Sequence, residues 1–397
     1  MNEAEASYGR LSLIALAQGL AMGLAWAIVA PFLRELGYTG TEYGAMGGSA
    51  VLTSSLLTIA SGILSDVFGA KPLALIGILG ASASLQLIAS GEKLLVAAGF
   101  MAQGASMGLG MTAWTTLVSR SVDDSKLHYA MSYVQSASTF GVAIGSFLGF
   151  APVAYSRHTG IPLVEAYSLT LRVAGVLVLL SAPLILGVKE RRSTREGRTS
   201  RPGLRDARRM LRGKFLVLAT VNIMVGFGAA MSIHNIDYYF AAKYGITSAE
   251  LGGILGLQQI VMALLMRFMP GLADRYGGLL RIYLAVTTPS IPLLIAMTLT
   301  NNLTLAASLY IIRSILMNVA NPLYTAKALS LVPLELRGSA SGILSLSWSL
   351  PASAGRAVGG YLLDLNVELP LRLTALIYTT SLIFLAYKFR DELGRRA

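Results

Sequence analysis

A chain of 397 residues that is 54% hydrophobic, only 13% charged and +0.63 in mean hydropathy is too apolar for a soluble globular protein. The absence of cysteine excludes disulfides, thiolate metal sites and a cysteine nucleophile. A net charge of +12 then has to be explained by topology or by an acidic partner.

A helix crosses a hydrocarbon layer of about 30 Å with about 20 apolar residues and satisfies its own backbone hydrogen bonds there, so helices are the expected spanning elements. The start "MNEAEASYGR" is acidic, lacks a basic n-region and precedes an apolar run longer than a signal-peptide core; it is expected to remain as a first helix. Spans are predicted at 11–36, 43–65, 72–90, 94–119, 128–154 and 163–188, then at 214–240, 247–272, 280–300, 303–328, 339–363 and 370–388. The polar stretch between the two sets, "KERRSTREGRTSRPGLRDARRMLRGK" (residues 189–214), holds eleven Lys or Arg against three acids. This predicts an all-α integral membrane protein of twelve helices in two pseudo-symmetric six-helix bundles, 1–188 and 214–397, joined by a basic linker at 189–213.

With both termini cytoplasmic, the inner segments hold 23 of the 32 Lys and Arg and the outer loops hold three, Lys93, Arg157 and Lys243. That bias sets the expected orientation in a cell membrane, and attraction to anionic lipid explains the net charge without nucleic acid as a partner. No phosphate loop, His-Glu-x-x-His or Gly-x-Ser-x-Gly pattern is present, so neither an enzyme nor a cofactor is expected and energy must come from ion gradients.

The two halves repeat. "SGILSDVFGAK" (residues 61–71) returns as "PGLADRYGG" (270–278), with Asp274 standing 208 positions after Asp66. "LRELGYTGTEYG" (33–44) pairs with "AAKYGITSAELG" (241–252) at the same offset, matching Gly37 to Gly245 and Glu42 to Glu250. Parallel repeats of six helices place a solute pathway between two halves.

"GILSDVFGAK" is similar to the Gly-x-Leu-x-Asp-x-x-Gly-x-Lys/Arg signature of the major facilitator superfamily, and "GLADRYGG" to its degenerate second copy. The resemblance covers essentially the whole chain. It implies a secondary transporter whose bundles rock about a central site; a monomer is expected. It also implies a gating group of Gly62, Asp66, Gly69, Lys71, Asp274 and Arg275, in which Asp66 faces the start of the eleventh helix, "RGSASG", and Lys71 anchors the loop at the lipid surface. Two subfamily marks differ: "FMAQG" has Phe100 where proton-coupled drug antiporters commonly carry Arg, and "GVAIGSFLG" lacks the Gly-Pro of the antiporter motif.

Ionisable groups inside apolar runs are candidates for function because burying them in lipid is costly. His234 and Asp237, three apart in "SIHNIDYYF", are expected to share a helix face and to take part in proton coupling. Arg313, in the tenth helix where the fourth has Phe100, and Arg356, in "SAGRAVGGYL", are expected to contact solute at a similar depth. Trp26, Gln135, Gln259 and Asn318 are further cavity candidates, while Gln18, Gln103 and Gln258 suit helix packing equally well. The expected function is proton-coupled transport of a small organic anion. The alternatives are proton-driven efflux of amphipathic compounds and a non-accumulating sensor or lipid-moving protein.

Overall fold

The computed structural model describes residues 3–121, 127–188, 213–266, 278–333 and 336–393. The first half folds as α1 (Glu3–Glu35), α2 (Gly40–Phe68), α3 (Ala70–Ile88), α4 (Lys93–Arg120), α5 (Leu127–Phe147), α6 (Phe150–Thr159), α7 (Leu163–Leu180) and α8 (Ala182–Leu186). The second half supplies α9 (Gly213–Ser232), α10 (Ile236–Tyr244), α11 (Ser248–Met266), α12 (Leu279–Thr287), α13 (Ser290–Leu299), α14 (Leu303–Asn318), α15 (Asn321–Ser330), α16 (Arg337–Leu365), α17 (Leu369–Lys388) and α18 (Arg390–Leu393). Among the described residues, eleven helical stretches are long and apolar enough to cross a membrane. The 29-residue α16 stands where the remaining span was expected. The basic linker at 189–212 lies outside the described residues.

Several predicted spans are broken within their length. The seventh is interrupted by a 3-10 turn at Ile233–Asn235, between α9 and α10. The tenth breaks between Asn318 and Asn321, where Pro322 opens α15 without needing a backbone donor.

The chain forms two compact units, one of residues 1–196 with 237–259 and one of 197–236 with 260–397. In the first, α1 and α5 meet through paired glycines. A Cβ on Gly23 would stand 2.0 Å from the Val142 carbonyl oxygen, and one on Gly145 would stand 2.0 Å from that of Leu20. Only hydrogen fits there, so the two backbones approach more closely than any side chain permits. A capping box opens α2, and half of the same device opens α11. The Thr39 hydroxyl accepts from the Glu42 N–H, whose carboxylate in turn accepts from the Thr39 N–H. At the repeat offset, Glu250 accepts from the Thr247 N–H. Gly37 (φ 81°) and Gly245 (φ 64°) take the same left-handed turn just before these caps.

In the second unit the same device recurs between α9 and α16. A Cβ on Gly355 would lie 2.3 Å from the Phe227 carbonyl oxygen, and one on Gly359 would lie 1.9 Å from that of Met231. Phe215, Leu218, Tyr283, Leu323, Tyr324, Leu382 and Phe389 form the apolar core of this unit. The buried Tyr324 hydroxyl is satisfied by the Leu218 carbonyl at 2.5 Å.

Candidate functional site

Beside the break between α14 and α15 lies a shallow, open-sided cavity of about 650 Å³, lined by Met262, Asn318, Asn321, Pro322, Thr325, Ala326 and Leu329. Asn318 closes α14 and donates to the Ser314 carbonyl at 2.8 Å, while its Oδ1 accepts from Asn321 Nδ2 at 3.2 Å. The interruption thus gathers two amides, a hydroxyl and a thioether without a formal charge. Broken spans are tolerated where irregular backbone lines a cavity, and transporter sites are commonly built on them.

Neither Arg313 nor Arg356, both expected to contact solute, is among the residues lining this cavity. Arg313 is 1% exposed and its guanidinium lies 5.4 Å from the centre of the Tyr378 ring, a cation–π contact to α17. Its Nε and Nη2 are buried without a hydrogen-bond partner. Arg356 is tied to the seventh span: its Nε donates to Asn235 Oδ1 at 3.3 Å, and its carbonyl accepts from Asn235 Nδ2 at 3.0 Å. Asn235 is fully buried on the 3-10 turn, so one residue satisfies both that turn and Arg356.

His234 lies on this turn and Asp237 on the first turn of α10, and the two groups have different partners. The His234 ring packs 5.3 Å from that of Trp348, within the second unit. Asp237 belongs to the first unit, where its Oδ2 accepts from the Tyr43 hydroxyl at 2.5 Å and its Oδ1 from the Tyr238 N–H at 2.8 Å. Tyr43 also stacks on Tyr238, at 5.3 Å between ring centres, and meets the edge of Phe100. Tyr238 donates to the Tyr38 carbonyl at 2.9 Å. Tyr38, in the α1–α2 turn, donates in its turn to the Gly91 carbonyl; burial and then the nearby Glu42 charge push its phenol up.

Other bonds fasten residues 237–259 into the first unit. Arg34 donates to the carbonyls of Ala241 and Ala242, satisfying the end of α10. The Ser248 hydroxyl donates to the Gly149 carbonyl at 2.5 Å, and its N–H to the Tyr167 hydroxyl at 3.2 Å. Sequence reasoning missed Arg34 and Tyr43. Arg34 carried a signal, a basic residue at the end of a span opposite to the positive-inside bias; Tyr43 carried none.

Gly69 is the single residue joining α2 to α3 and takes φ 89°, so the tight turn expected of it is present. Lys71 does not simply reach for lipid: its ammonium donates to the carbonyls of Leu186 at 2.6 Å and Val188 at 3.1 Å. Arg10 grips the intervening Gly187 carbonyl. Gly62 and Asp66 lie on the last turns of α2 by their backbone, but their side chains fall outside those described, as do Asp274 and Arg275 entirely. Trp26 and Gln135 are exposed and Gln259 half-buried, none of them lining the cavity at Asn318. Gln103 accepts from the Ser84 hydroxyl, a bond between α3 and α4.

A model of the Major Facilitator Superfamily matches residues 11–391. An MFS-type transporter of Methanocaldococcus jannaschii, itself uncharacterized, is 25% identical over 362 residues, spanning 87% of this chain and 88% of its own. Multidrug resistance protein 2 of Bacillus subtilis is 22% identical over 354 residues, with 88% and 87% covered. The fold is shared with the crystal structure of a bacterial homolog to the human lysosomal transporter Spinster, at a TM-score of 0.81 over 100% of this chain and 99% of that one, with 13% identity.

Proposed function

Because the chain belongs to the major facilitator superfamily, whose members are transporters rather than enzymes, we propose that it exports a small amphipathic solute across the cell membrane by alternating access. The observation that carries this reading is the uncharged cavity at the α14–α15 break, where Asn318, Asn321 and Thr325 supply hydrogen bonds beside Met262 and Leu329. A flexible thioether and a few amides suit apolar compounds of varied shape better than a single ion. The name borne by the Bacillus subtilis relative supports the same solute class.

Asp237 is the proposed proton carrier. While ionised it accepts from both Tyr43 and the Tyr238 amide; a proton turns one of its oxygens from acceptor to donor and loosens that hold on α10. Asp66 is the proposed gate at the opposite end of the spans. Counterflow of a labelled lipophilic compound in liposomes tests the site. Asn318→Ala is expected to weaken apparent affinity about three- to tenfold, the loss of about one neutral hydrogen bond. Asp237→Asn is expected to keep counterflow and lose accumulation driven by an imposed proton gradient. Unchanged affinity in a folded Asn318→Ala, Asn321→Ala double variant would remove the cavity from the solute path.

One observation favours a second reading, an organic anion as solute. The unpartnered Nε and Nη2 of Arg313 form the edge of a guanidinium that pairs side-on with a carboxylate. Counterflow with labelled organic acids separates the readings, since only the second predicts exchange that Arg313→Gln abolishes.

A further inference from the structure

On α7, within the span Leu163–Leu186, Glu165, Leu169, Arg172, Val176 and Leu180 follow one another at steps of four and three residues and so share a single helix face. All five are exposed. An arginine on the outside of a membrane span must find an anion or reach an interface. In the second half Arg372, near the start of α17, is paired with Glu368, one turn away. Arg172 differs, because its nearest acid on the same face, Glu165, is two turns away, about 10 Å along the axis. Among the described residues no carboxylate pairs with Arg172.

Between the two charges lies a cavity of about 350 Å³, whose other walls include Phe32, Leu36, Ser90 and Ser168. Helical side chains lean toward the N-terminus, so Arg172 reaches from below into the same cavity that Glu165 borders from above. Below Arg172 the stripe is purely apolar.

We infer that this face of α7 binds one phospholipid with a primary-amine headgroup, its phosphate on Arg172, its ammonium on Glu165 and an acyl chain along Val176 and Leu180. The order of charges fits the lipid's own: ammonium farthest from the hydrocarbon, phosphate next, chain below. The cavity accommodates a headgroup while leaving the chains outside, which distinguishes it from a solute site.

The test uses the full-length transporter in nanodiscs of phosphatidylcholine containing phosphatidylethanolamine or phosphatidylglycerol with the same acyl chains, and counts retained lipid by native mass spectrometry. Wild type is expected to retain phosphatidylethanolamine in preference to both others. Arg172→Gln should weaken that retention about tenfold or more, the loss of a charge-assisted contact. Glu165→Gln should erase only the preference over phosphatidylcholine. Leu169→Trp, which fills the cavity and keeps both charges, should weaken retention as well, so the test survives a failure of Arg172→Gln to fold. Equal retention of the three lipids by wild type and variants, or displacement of the bound lipid by inorganic phosphate alone, would overturn the site.

Discussion

Glu392, beyond the last span, takes an ammonium on each of its carboxylate oxygens, Lys214 on Oε1 and Lys327 on Oε2, the latter at 2.7 Å. Both ammonium groups also lie over the Phe389 ring, at 5.3 and 5.9 Å from its centre. Burial alone pushes the carboxyl up, but the hydrogen bonds from Lys214 and Lys327 outweigh it and hold the group below the usual carboxylate range. With the folded value below the unfolded one of about 4.3, the stabilisation is fully present above that pH and is lost as pH falls through the folded value. The side chain is 33% exposed, so the contribution is about 1 kcal/mol or less. Glu392→Gln is therefore expected to lower the Tm in detergent by roughly 1–2 °C at pH 7. The difference from wild type should narrow as pH falls below the usual carboxylate range, and a difference undiminished in acid would contradict the account. Lys214, Lys327 and Glu392 were each legible as basic or acidic residues near span ends, but their convergence was not. The same holds for Asp237, whose partner Tyr43 lies 194 positions away. Hydropathy reports which residues enter the membrane and is silent on which of them meet.

The helix pairs α1 with α5 and α9 with α16 owe their closeness to single missing methyl groups. Gly145→Val and Gly359→Val each drive carbons into a facing carbonyl that already stands 2.0 or 1.9 Å from a would-be Cβ, so both are expected to abolish folded protein in a membrane expression assay. Gly253→Ala on α11 is the matched control. Nothing lies within 4 Å of its would-be Cβ, and the change should raise helix stability by up to about 1 kcal/mol. Normal yields from Gly145→Val and Gly359→Val would refute the close-packing account. The glycine spacing was visible in "GVAIGSFLG" and "SAGRAVGGYL", as were the spans, whereas the tenth, expected to be continuous over 303–328, breaks between Asn318 and Asn321. The 3-10 turn in "SIHNID" was hidden: no proline or glycine marks it, and the turn is held by Asn235 bonding to Arg356, 121 residues on.

At the scale of the whole chain, the first compact unit is assembled from two separate stretches of sequence, because residues 237–259 pack with residues 1–196. They are held there by Arg34 and Tyr43, by the Tyr38 carbonyl, and by Gly149 and Tyr167. Between these stretches runs the basic segment, and its near end is fixed by Arg10 and Lys71 on the carbonyls of residues 186–188. These contacts predict that the two stretches stay together when the backbone between them is cut. A protease site introduced after Glu196 and cut after purification should leave two fragments that co-elute in detergent, since the longer-numbered fragment carries a piece of the other's fold. Fragments that part on cleavage would mean that residues 237–259 are not integral to the first unit. Co-elution that Arg34→Ala with Tyr43→Phe then weakens would identify the noncovalent seam by which one severed polypeptide completes another.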